Sequence, residues 1–139
     1  MTNPTTTLAK IRSHGPCSEG WEKLLKTLGP NYGEDTPVTL LQILDSNGLK
    51  DALWALRACN ADRFACLLVC DYAEHVLHLF EKEYPKDKRP ANAINVARLF
   101  ANGKATKDEL RVAWDAAWDA ARVAERKWQS KRLLKYLEE

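Results

Sequence analysis

No stretch of this sequence stays apolar for the ~20 residues that a membrane-spanning helix needs. Its start, "MTNPTTTLAKIRSHGPC", also lacks the apolar segment of a secretory leader. The chain is therefore expected to be soluble and cytoplasmic. Cysteine is sparse: Cys17, Cys59, Cys66 and Cys70 include no Cys-x-x-Cys pair, so reduced thiols are expected rather than a disulfide framework. Excess charge is lacking too. A formal net charge of +2 argues against a dedicated nucleic-acid binder, which carries a strongly basic face, and leaves room only for a local patch. Gly-x-Ser-x-Gly, a glycine-rich phosphate loop and His-Glu-x-x-His are all absent, which removes the common signatures of nucleophilic and zinc-dependent hydrolysis. No stretch longer than four residues alternates as a half-buried strand would.

What is there is helical. The chain has the length of one domain, and 45% hydrophobic residues suffice for a core. Residues 1–16, Thr-rich with Pro4, Gly15 and Pro16, read as a flexible arm, and 17–139 as the helical domain. Ser18 is a fitting cap for a first helix whose Trp21, Leu24, Leu25 and Leu28 form one stripe; Gly29-Pro30 stops it. Shorter helices follow over Thr39–Asp45 and Leu49–Ala58, then a long one over Ala61–Glu83. Pro90 opens a fifth, which Gly103 ends. Thr106 and Glu109 form a capping box for a sixth that meets no Pro or Gly before Leu137, a helix of ~45 Å. The fold class is all-α: a single-domain bundle of about six helices with a long C-terminal helix.

The stretch "CLLVCDYAEHVLHLF", residues 66–80, concentrates the reactive side chains. On a helical wheel Cys66 and Cys70 fall in an apolar arc covering over half the circumference. Asp71, Glu74, His75, His78, Glu81 and Lys82 share the remaining strip. This predicts a central helix with both cysteines buried as small hydrophobes. Asp71, His75 and His78 stand at i, i+4 and i+7, so they form a feasible zinc or iron ligand set and, with it, a metal-dependent enzyme as an alternative function. Against that, no Glu-x-x-His pair exists on a facing helix, and the only other histidine is His14. An Asp71–His75 pairing on a solvated face needs no metal. The leading expectation is a protein with no catalytic residues, metal or cofactor.

The last helix carries "AWDAAWDAARVAERKW", with Leu110, Trp114, Ala117, Ala121, Ala124 and Trp128 on one stripe, an expected seam for another helix. Trp118 lies off that stripe, about 40° round from Trp114, either widening the buried face or standing exposed as a binding anchor. Arg126, Lys127, Lys131, Arg132 and Lys135 then follow with no acid until Glu138. They complement the helix dipole with Leu133, Leu134 and Leu137 docked on the core, or they form a patch for an acidic partner, protein or nucleic acid. Trp118 and these five cations are the candidate partner-binding residues, with nucleic-acid binding as the other alternative function.

Residues 53–103 carry a recognisable order. "CDYAEHVL" lies on the long helix, an acidic-basic loop ends in Asp87-Lys88-Arg89-Pro90, and Ala93-Ile94-Asn95-Val96-Ala97-Arg98 precedes a closing Gly103. With Cys17-Ser18-Glu19-Gly20-Trp21 before them and the Ala/Trp-rich helix after, residues 17–125 resemble the Imm5-like family of bacterial toxin–immunity systems and phage proteins with the same core. The resemblance implies a small cytoplasmic protein that binds and neutralises a protein target, either a toxin or a host defence complex. It also places Asp71 and Glu74 opposite Arg89 and Arg98, a structural polar cluster that would fix helix register. If that cluster is buried, Arg89→Ala should cost substantial stability.

Overall fold

The computed structural model describes residues 3–138. It is 75% helical, with seven α-helices among the described residues and one two-stranded sheet. The chain divides into two compact units, Met1–Ala65 and Cys66–Glu139.

The first unit starts where a loose arm was expected. β1 (Thr5–Thr6) pairs antiparallel with β2 (Val38–Thr39), in the register Thr5↔Thr39 and Thr6↔Val38. α1 (Leu8–Ser13) follows, capped by the Thr7 hydroxyl, which accepts from Lys10 N. Leu8 and Ile11 are both buried, and burying two large aliphatic side chains is what holds so short a helix, because six residues do not form one alone. Two strand residues and one turn of apolar spacing are below what periodicity can register, so the arm expectation fails for residues 5–13.

α2 (Ser18–Leu28) turns Leu24 into a core made with α3 (Leu40–Asn47), α4 (Leu49–Ala55) and a 3-10 turn at Leu56–Ala58. Thr39 caps α3 with a full capping box to Gln42. Gly48, at φ +88°, ends α3 and starts α4 in the same residue; that left-handed backbone is why glycine stands there. Thr6, the buried polar residue of this core, donates its hydroxyl to Ala58 O at 2.7 Å, so the strand's only buried hydroxyl is satisfied.

The second unit is built from α5 (Asp62–Glu83), which begins in the first, together with α6 (Arg89–Ala101) and α7 (Lys107–Glu138). α6 and α7 form a helical hairpin. Thr106 and Glu109 make the expected capping box, Glu109 N donating to Thr106 Oγ1 at 3.1 Å and Thr106 N to Glu109 Oε2 at 2.7 Å. The seam is alanine on alanine: Ala93 and Ala97 of α6, Ala113 and Ala120 of α7, all buried. It lies roughly 70° round α7 from the expected stripe, and Trp114, Trp118 and Trp128 stand outside it, 42%, 61% and 60% exposed. Small side chains let the helices approach closely, and tryptophan at the seam would hold them apart.

α5 is not the buried central helix that its wide apolar arc suggested. Only Cys70 is buried along it. The cysteine side of the arc meets α6, where the Cys66 and Cys70 thiols donate to Ala97 O at 3.5 Å and Ile94 O at 3.8 Å. Elsewhere on the arc Val69, Tyr72, Val76 and Leu79 are exposed, and Leu68 and Phe80 are half-buried. Burial pushes the Cys70 thiol up, with Cys66 adding to the rise and Arg98 opposing it; burial also raises Cys59. Cys17 is the one exposed cysteine. Brief treatment with iodoacetamide near neutral pH should therefore modify Cys17 first and leave Cys59 and Cys70 unmodified, because the thiolate is the nucleophile and burial suppresses it. Mass spectrometry of tryptic peptides reads the order; fast labelling of Cys70 would contradict this packing.

No helix among the described residues is long and apolar enough to cross a membrane.

Candidate functional site

The length mismatch between α6 and α7 creates the most distinctive surface of the second unit. At 1.5 Å per residue, thirteen residues of α6 give ~20 Å and thirty-two of α7 give ~48 Å. α6 therefore covers only the first part of α7. Every described residue from Glu125 to Glu138 is exposed. Trp128, Leu133, Leu134, Tyr136 and Leu137 are at least 55% exposed, so the leucines expected on the core are in solvent. The helix persists because its interior contains neither Pro nor Gly and is rich in Ala, Leu, Lys, Arg and Glu.

The five candidate cations lie on this projecting segment. Lys127 places its ammonium 5.5 Å from the Tyr84 ring centre, and Arg132 its guanidinium 5.3 Å from that of Tyr136. Lys127, Lys131 and Lys135 continue the same helical face that Ala113, Ala117, Ala120 and Ala124 present earlier. That switch from alanine to lysine falls where α6 ends, and it is the sequence signal that would have located the uncovered segment. Trp118 stands on α7 ahead of the segment and is exposed, so it does not widen the buried face. On the solvated side Asp119 pairs with Arg122.

The polar cluster assembles in part. Arg98 donates from Nη1 to Asp71 Oδ1 at 2.9 Å and from Nη2 to Glu74 Oε2 at 2.5 Å, tying α6 to α5. Arg89 does not join it. It is engaged by Asp87, two residues before it, through Nε at 2.9 Å and Nη2 at 2.6 Å, and this guanidinium holds the Asp87 carboxyl below the usual carboxylate range. Nor is the cluster buried, since the Asp71 and Glu74 side chains are 64% and 61% exposed. Solvent-exposed pairs contribute little. Arg89→Ala should accordingly leave the melting temperature almost unchanged, and Arg98→Ala should lower it by no more than about 4 °C. A larger drop for Arg89→Ala than for Arg98→Ala would show that the pairing is wrongly assigned.

The histidine strip does not converge on a metal site. Asp71 is engaged by Arg98, and His78 Nδ1 lies 3.0 Å from the carbonyl oxygen of His75, on its own helix. Among the described residues no three His, Cys, Asp or Glu side chains are placed to hold a metal ion.

Comparison with known proteins agrees with the order of motifs along α4 to α7. No curated protein and no solved structure matches the chain. A family profile described as Imm-5 like putative immunity protein matches residues 49–135, from the first residue of α4 to the last cation of the projecting segment. The match starts later than the resemblance suggested, leaving out Cys17–Trp21, and it takes in the basic end of α7. With well over half of its length matched, the chain belongs to the Imm-5 like immunity-protein family.

Proposed function

We propose that this immunity-type protein acts without catalysis, in the cytoplasm, by binding a protein target stoichiometrically, and that the projecting end of α7 is its binding face. The target is a toxin or a host defence complex. The single observation that supports this most is the exposure of Trp128, Leu133, Leu134, Tyr136 and Leu137 in one fourteen-residue segment that also carries five cations. Large exposed apolar groups on a helix are the form taken by a helix that docks into a partner's groove. The surrounding lysines and arginines favour a partner with an acidic rim. Their interleaving with leucines, and a chain that is nearly neutral overall, favour protein over nucleic acid.

The test is purification of the tagged full-length chain from its native cells. One protein retained in a 1:1 complex that reassembles from the purified components supports the proposal. Retention of nucleic acid alone, lost as salt rises, would replace it with the nucleic-acid alternative.

A further inference from the structure

The first unit contains a cavity of about 240 Å³ that the binding face on α7 does not involve. Trp21 of α2 and Trp54 of α4 line it together with Leu24 and Ile43, and Asn47 and Asp51 supply a polar edge. The cavity is partly open to solvent, so a ligand can reach the two tryptophans from outside. An apolar cavity of roughly 150 Å³ takes up benzene. This one has room for a bicyclic ring.

The polar edge limits what the ring must carry. Asp51 is half-buried, and its Oδ2 accepts from Asn47 Nδ2 at 2.8 Å. The same Asn47 nitrogen donates to Gly20 O at 2.8 Å, which fixes the amide. A Cβ on Gly20 would come within 2.7 Å of Asp51 Oδ2, so glycine at this position is what lets the carboxylate lie against α2. Among the described residues Asp51 accepts no other hydrogen bond and pairs with no cation. The other charged group on the wall, Lys50, is exposed. The cavity thus offers apolar walls and one anchored acceptor with capacity to spare.

We infer that this cavity binds an aromatic ring bearing a single N–H or O–H donor, of the indole or phenol class, with the ring against Trp21 and Trp54 and the donor on Asp51. An apolar body with one polar handle is the chemistry that such a wall selects. A free small aromatic and the Trp or Tyr side chain of a partner both present it.

The experiment titrates the isotope-labelled full chain and follows the indole N–H resonances of its own tryptophans. The probes are indole, benzofuran (the same shape without the donor) and N-acetyltryptophanamide. Indole should shift Trp21 and Trp54, leave Trp118 and Trp128 in place, and bind about tenfold more tightly than benzofuran, the difference made by one hydrogen bond to a charged acceptor. Binding of N-acetyltryptophanamide as well assigns the site to a side chain of a partner, and binding of indole alone assigns it to a free small molecule. In Asp51→Asn the indole preference should vanish, because Asn47 keeps the new amide oxygen towards itself and turns the amide N–H₂ towards the ligand donor. Equal affinity for indole and benzofuran in the unsubstituted protein, or shifts shared by all tryptophans, would overturn the inference. The titration uses the chain alone, so its failure leaves the reading of α7 untouched.

Discussion

Ala120→Leu is expected to lower the unfolding free energy by about 2–3 kcal/mol, the upper part of the range for overpacking a close-packed site. Ala120 is 2% exposed and lies in the seam where Ala113 of α7 and Ala93 and Ala97 of α6 are also buried. Helices that meet through alanines leave no space for an isobutyl group, so the added carbons must separate α6 from α7 or adopt a strained rotamer. Leucine and alanine are both good helix formers, so the loss reports packing and not helix propensity. Ala121, one residue on, is exposed, and leucine there should change stability by less than about 0.5 kcal/mol. Urea unfolding of the two variants makes the comparison. Equal midpoints would mean that the seam is not tightly closed.

Reversing two charges at the projecting end should act on binding and not on stability. Lys131→Glu with Arg132→Glu is expected to weaken the complex with the captured protein about 100-fold, the outcome of turning two attractive contacts into repulsive ones. Both residues are exposed, and so is every described neighbour from Glu125 onwards, so the melting temperature should stay within about 2 °C of the parent. Association should slow more than dissociation quickens, and the difference from the parent should shrink as salt is raised. A variant that binds its target as tightly as the parent would place the binding face elsewhere.

The helices themselves were legible in the residues. Thr106 with Glu109, Pro90 at a helix start, and Gly29, Gly48 and Gly103 at helix ends are local signals. Caps and breakers act within one turn, and no distant contact is needed to read them. Thr5 to Ser13 escaped because the two-residue strand owes its existence to Val38 and Thr39, more than thirty positions away, and the six-residue helix to the burial of Leu8 and Ile11 in a core completed by later helices. Arg98 reaches Asp71 and Glu74 on α5, whereas Arg89 is taken by Asp87, an acid only two residues away along the chain.

By itself, then, the sequence determined an all-α chain, the order of its helices, the absence of the familiar catalytic motifs and the family resemblance, because each depends on spacing along the chain. Only the tertiary structure decided which side of each helix is covered. An apolar arc states how much surface a helix can bury and not how much its neighbours will reach. α6 reaches the cysteine side of α5 and the alanine face of the first part of α7, and no further. The leucines and lysines beyond it are left in solvent by the shortness of α6, a fact about another helix that no pattern within α7 records on its own.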